Sequence, residues 1–204
     1  MEWALVGEKR GFWPWMRRRV GREPAASNAE PGPAPRLNAG AGVGPRSPPG
    51  LEFRVGWKRD DPAIEADVKA FWARLNILPP GIDADERART IVVAGYAGSI
   101  VVAASTAVVQ EVPFLRSRLA MFRAAVGPAF ARPDVFTLLG SRTVAALETW
   151  ALGHPEEGVM GVLTLLAAND AKIAPRRAET GLTLAGFTEN DEKIMVAWFD
   201  HALV

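Results

Sequence analysis

Residues 117–153, SRLAMFRAAVGPAFARPDVFTLLGSRTVAALETWALG, read as a strand, a tight Gly-Pro turn and a long helix. In the strand, Ser117 to Val126, Leu119 and Met121 point to one face. Ala120, Phe122, Ala124 and Val126 point to the other, the period of two of an extended chain. The helix, from Val135 to about Leu152, carries two apolar stripes. One is Val135, Leu138, Leu139, Ala146 and Trp150; the other is Phe136, Val144, Leu147 and Ala151. A helix apolar on more than one side is expected to be largely buried. Gly153-His154-Pro155 stops it. This order sets a helix N-terminus at the end of a strand, where free backbone N–H groups hold an anion.

Working upstream, Leu51 to Trp57 alternates as a first strand. Asp60-Asp61-Pro62 is a helix start, an Asp cap with Pro at the first helical position, and Ile64, Val68, Phe71, Trp72 and Leu75 follow at helical spacing. Pro79-Pro80-Gly81 ends that element. Asp83 caps a short second helix that ends near Arg89. Thr90 to Gly95 and Ser99 to Val109 form a Val/Ile-rich hairpin across Gly95-Tyr96-Ala97-Gly98. Downstream, Gly158 to Leu163 is a buried strand and Thr164–Lys172 a short helical or irregular segment. Thr180 to Gly186 and Lys193 to Phe199 pair around Glu189-Asn190-Asp191. Strands in runs with helices inserted argue for an α+β fold with a mixed, mostly antiparallel twisted sheet and flanking helices.

The chain holds no cysteine, which excludes disulfides, thiolate nucleophiles and Cys metal sites, and its two histidines, His154 and His201, are too far apart in sequence to suggest a metal centre. Residues 1–50 carry eight Lys/Arg against four Asp/Glu, which leaves the rest at −3 within an overall +1. The rest therefore lacks the basic character of a nucleic-acid binder. Residues 23–50 are rich in Pro, Gly, Ala and Ser and read as disordered. Phe12, Trp13 and Trp15 stand among six basic residues between Lys9 and Arg22, a composition that suits a membrane-surface tether or an unstructured tail. The expected organisation is a tail over residues 1–50 and one domain over 51–204. With no apolar run of about 18–20 residues, the expected location is cytoplasmic.

The element order and several segments resemble the GNAT family of acyl-CoA-dependent N-acetyltransferases over residues 51–204. IVVAGYAGSIVVAASTAVV stands at that family's second and third strands. SRLAMFRAAVGPAFAR stands at its fourth strand and exit. LETWALGHPEEG with GVMGVL matches the next helix and strand, and TGLTLAGFTENDEKIMVAWFDHALV resembles a closing hairpin. The resemblance implies acetyl-CoA as co-substrate and a small-molecule or peptide amine as acceptor, and leaves room for a homodimer. Its cofactor positions here are Ala124, Val126, Arg132, Val135, Thr137 and Asn169. The family's phosphate pattern, Arg/Gln-x-x-Gly-x-Gly/Ala, falls on Ala131 to Phe136. Asp134 stands at the glycine, Phe136 at the small residue, and Pro133 brings no N–H.

Asp134 is also a good helix cap, with its carboxylate where a phosphate would lie, so two readings stand: an open acetyl-CoA site, or a closed, catalytically silent binding module. The family's tyrosine acid has no counterpart, because the sole tyrosine, Tyr96, lies in the hairpin. Glu111 and Glu157 are candidate bases, Glu111 first. His154 and His201 read as capping or surface histidines. Arg116, Arg118 and Arg123 cluster along the fourth strand, to bind an acidic substrate or face solvent, and Trp198 and Phe199 read as core.

Overall fold

The computed structural model describes residues 50–166, 176–177 and 179–202. The tail readings and Asn169 lie outside the described residues. Leu51–Val55 (β1) leads through an Asp-capped start into Pro62–Leu75 (α1) and Ala84–Ala88 (α2). Ile91–Ala97 (β2), Ile100–Val112 (β3) and Ser117–Val126 (β4) follow as a meander. Pro133–Gly153 (α3) then returns the chain to Val159–Leu166 (β5). Among the described residues, Arg176–Arg177 (β6), Leu182–Phe187 (β7) and Lys193–Trp198 (β8) complete one eight-stranded sheet of order β1-β2-β3-β4-β5-β8-β7-β6. Every pair is antiparallel except β4 with β5. The fold is the mixed α+β class expected, with helices on both faces.

Each face of the sheet buries its own core. Leu139, Leu147 and Ala151 of α3 pack on Val92, Ala103, Ala120, Phe122, Val162 and Met195. On the opposite face Ile64, Val68, Phe71 and Trp72 of α1 cover Ile91, Ala94, Tyr96 and Ala104. Farther along that second face, Leu119, Leu163, Ile194 and Val196 form a separate cluster. The α1 row is the one its sequence spacing indicates, because a stripe at i, i+4, i+7 and i+8 can meet only one surface.

Three local readings change. α3 is buried along one side only: Val135, Leu138, Leu139, Thr143, Leu147 and Ala151 face the sheet, while Arg142, Ala145, Thr149 and Leu152 face solvent. One sheet face is all it covers. The buried Thr143 hydroxyl bonds both the Leu139 carbonyl and the Ser105 hydroxyl, each at 2.7 Å, so a polar residue enters this row with its hydrogen bonds made. Thr164 to Leu166 continue β5 instead of starting a helix, because Met195, Ile194 and Lys193 of β8 pair with them. Phe199 is core at 1% exposure, but Trp198 alternates to the other face at the sheet's end and is 40% exposed.

Candidate active site

The parallel pair holds together only at one end. β4 and β5 pair from Arg118↔Val159 to Met121↔Leu163. Beyond that, β4 stays with β3 as far as Ala103↔Val126, and β5 stays with β8 as far as Leu166↔Lys193. The two strands therefore form a fork with its vertex at Met121 and Leu163. Gly161 secures one prong: a Cβ there would run into the backbone of Ala197 and Trp198, so glycine lets β8 close on β5. Gly127 donates its N–H to the Val102 carbonyl on β3 at 2.7 Å. Along an antiparallel ladder such bonds alternate, so Ala125 and Arg123 also face β3. Ala124 and Val126 then turn their N–H and C=O groups away from β3, into the fork. Ala124 and Val126, two expected cofactor positions, stand together on one fork edge. Their side chains pack under α3.

A 3-10 turn at Pro128–Phe130 carries the chain from β4 to α3. The helix starts two residues earlier than its apolar stripe indicates, with Pro133 at its first position and Arg132 as the cap residue. Asp134 is therefore not the cap. It sits in the first turn, and its carboxylate reaches sideways to the Arg132 guanidinium at 3.1 Å, both side chains 57% exposed. The Arg132 side chain makes no capping hydrogen bond to the first turn. The Val135 and Phe136 N–H groups share the Arg132 carbonyl at 3.1 and 3.2 Å, the bifurcated arrangement common at helix ends. Val135 itself is fully buried against Leu51 and Val102, so it can offer a ligand nothing but backbone. Thr137 lies one turn in, half-buried.

The sequence matches no protein-family model, and no curated protein matches it significantly. Solved structures resemble it. A GNAT-family acetyltransferase from Streptococcus pneumoniae superposes with a TM-score of 0.47 at 10% identity, over 73% of this chain and 99% of its own. A putative acetyltransferase from Salmonella typhimurium, solved with acetyl-CoA, gives 0.47 at 14% identity over 76% and 97%. NAA60 of Arabidopsis thaliana, in complex with acetyl-CoA, gives 0.47 at 11% identity over 72% and 98%. Residue roles in this chain follow from its own geometry.

That geometry does not gather all the expected site residues. Glu111 is exposed near the end of β3, opposite Arg118, and so stands three residues below the vertex, about 10 Å along the strand. It lies away from the fork edge that Ala124 and Val126 form. Glu157 pairs with Arg118 at 3.2 Å beside the start of β5. The three arginines do not cluster. Arg118 shares the α3 face of β4 with Ala120 and Phe122, whereas Arg123 alternates to the opposite face, and Arg116 lies before the strand in a left-handed conformation at φ 49°.

Tyr96 is buried under α1, where its hydroxyl donates to Asp67 at 3.0 Å and Arg54 stacks on its ring at 4.4 Å. Burial, then the Asp67 carboxylate, push its pKa up to about 12, which fits a structural anchor. His154 caps α3 through Nδ1–H to the Trp150 carbonyl at 2.8 Å. His201 is half-buried, not a surface residue: the C-terminal 3-10 turn tucks it against β5, where Nε2–H reaches the Val159 carbonyl at 3.0 Å.

A hollow of about 140 Å³ adjoins the exit of β4 between Arg74, Val102, Gly127 and Phe130. A larger one, about 370 Å³, lies between Gly56, Asp61, Ile64 and Arg89 at the far edge of the sheet, remote from the fork. The fork vertex itself went unread in the sequence. Gly161 inside a strand pattern was the available signal, since an isolated glycine there marks close backbone approach.

Proposed function

We propose that this protein is an acyl-CoA-dependent N-acetyltransferase of the GNAT type, with acetyl-CoA bound along the β4 edge of the fork. The observation that carries the reading is the conjunction of two open features at one place. Among the described residues the fork turns the backbone groups of Ala124 and Val126 away from β3, and the start of the 21-residue α3, without a side-chain cap bond, follows the same strand. Acetyl-CoA supplies an activated acetyl thioester, with an extended diamide arm and a pyrophosphate.

The main chain of Ala124 and Val126 suits an extended diamide, as one more strand would suit an open edge. Arg132 and the Asp134 N–H in the first α3 turn suit the pyrophosphate, through charge and the helix dipole. The Asp134 carboxylate opposes it. Because this carboxylate turns to Arg132 and not to the backbone, the start of the helix stays open. For catalysis the chain positions the two reactants. Their orientation lowers the barrier: the amine nitrogen bonds to the acetyl carbon and gives its proton to water, the acetyl C–S bond breaks, and coenzyme A leaves as a thiolate that takes a proton from water. The acceptor is a small-molecule or peptide amine.

Calorimetric titration with acetyl-CoA tests the reading. The expected result is saturable one-to-one binding and a rise in melting temperature, since a ligand at about 100 times its Kd stabilises by about 2.7 kcal/mol. A folded protein that gives no heat at millimolar acetyl-CoA defeats it.

A further inference from the structure

Past the vertex, the α3 side of the fork is lined among the described residues by Phe122, Ala124 and Val126 of β4 and by Thr164 and Leu166 of β5. Thr164 is the one polar side chain in that set. It stands one residue beyond Leu163, about 3.3 Å along the strand. The Val162 and Met195 side chains beside it are fully buried in the core under α3, and Phe122 across the gap is 4% exposed. Thr164 itself is 6% exposed, and its hydroxyl makes no hydrogen bond among the described residues. Elsewhere this face satisfies its polar groups: Thr143 bonds Ser105 and the Leu139 carbonyl. Among the described residues, the fully enclosed side-chain atoms without a partner are Trp57 Nε1 and His201 Nδ1, so the Thr164 hydroxyl still reaches an opening. With β8 on one side, α3 above, and Val162 and Leu166 along the strand, that opening is the fork.

A buried hydroxyl without a partner costs stability, and valine would fill the same space without that cost. We infer that the Thr164 hydroxyl donates a hydrogen bond to the acetyl carbonyl oxygen of the bound thioester. This rests on the acetyltransferase reading above and adds a residue that touches the reacting group. With the pyrophosphate at the start of α3 and the diamide arm along Val126 and Ala124, the thioester end of acetyl-CoA comes to the vertex, beside Thr164. The hydroxyl keeps its own proton. As the amine nitrogen bonds to the acetyl carbon, the carbonyl electron pair moves to the oxygen, and it returns as the C–S bond breaks. A fixed donor on that oxygen stabilises the charge it gains, and does so more strongly where water is excluded.

The experiment uses the full chain, with acetyl-CoA and free coenzyme A as probes. Calorimetry gives the affinity for each, and infrared difference spectra with isotope-labelled acetyl-CoA give the carbonyl stretch of the bound acetyl group. In Thr164→Val, acetyl-CoA affinity is expected to fall about fivefold, the scale of one hydrogen bond, while affinity for free coenzyme A stays unchanged. The carbonyl stretch should lie higher in Thr164→Val than in the original chain, and Thr164→Ser should keep both original values. Without ligand, the melting temperature of Thr164→Val should match or exceed the original. A drop there would mean that the hydroxyl is already paired within the protein, and overturns the inference. An unchanged stretch, or equal losses for acetyl-CoA and free coenzyme A, also overturns it and leaves the acetyltransferase reading standing. Failure of the original chain to bind acetyl-CoA overturns both.

Discussion

α1 and α3 both begin with a proline in the first helical position, yet one start is closed and the other is open. At α1 the Asp61 carboxylate accepts from the Ala63 and Ile64 N–H groups at 3.0 and 3.2 Å. The short α2 is closed in the same way, by Asp83 at 2.7 and 3.2 Å. At α3 the residue in the cap position is Arg132, which brings a donor where an acceptor would be needed. The acid of that turn, Asp134, sits two residues too late to reach back, and instead pairs with the arginine. A cap stabilises a helix by occupying the N–H groups that an anion would use. Among the described α-helices, α3 forgoes that stabilisation, where β4 ends beside the fork.

The largest effect should come from making α3 begin as α1 does. Arg132→Asp creates the Asp-Pro start of α1. Acetyl-CoA affinity is expected to fall by about 30-fold, roughly the 2 kcal/mol of a lost charge-assisted contact. The melting temperature should rise by about 2–4 °C from the new cap. Calorimetry and thermal unfolding on the same sample read both, and a loss of affinity with no gain in stability would break the comparison.

The converse change, Asp61→Ala, should cost about 1 kcal/mol, or about 2–4 °C, and leave acetyl-CoA affinity untouched. Asp134→Asn should tighten acetyl-CoA binding about two- to fivefold, the scale of one exposed like charge, with the gain shrinking as salt is raised. Weaker binding in that variant would mean that the carboxylate supports the site by holding Arg132.

The smallest effect concerns how α1 is held. Tyr96 keeps its proton in the folded state up to about 12, above its ordinary value of 10.0. A raised folded-state pKa contributes stability that is complete below the unfolded value and lost as pH rises through the folded one. Urea unfolding of the protein should therefore show stability declining between about pH 10 and 12, and Tyr96→Phe should remove that component. Were the decline to persist unchanged in the variant, another group would be responsible.

The two helix starts also separate what was legible in the sequence from what was not. Asp61-Pro62 and Asp83 were readable because an acid before an apolar helical stripe can do little else locally. Arg132-Pro133-Asp134 was misread by two residues, since the apolar stripe starts at Val135 while Pro133, with no N–H to lose, already fits the first turn. β1 to β4 were readable from alternation. The end of β5 was not, because Thr164 to Leu166 become strand by pairing with β8, some thirty residues later in the chain. Ala124 and Val126 came from the resemblance to a family. Their common orientation into the fork required the register with β3. The arginines show the limit most plainly: Arg118 and Arg123 look like a cluster in one dimension, yet their odd separation puts them on opposite faces.

By itself, the sequence determined the alternation and helical spacing of the elements, their order, the caps of α1 and α2, and the absence of cysteine chemistry. These depend on neighbours within a few residues. Only the tertiary structure decided that β4 and β5 part at Met121 and Leu163, that α3 begins without a side-chain cap bond beside the opening, and that Ala124 and Val126 both turn their backbone away from β3. Those facts depend on which distant strand claims each backbone hydrogen bond. Where β3 and β8 pull their partners apart, the unclaimed bonds remain as the candidate site.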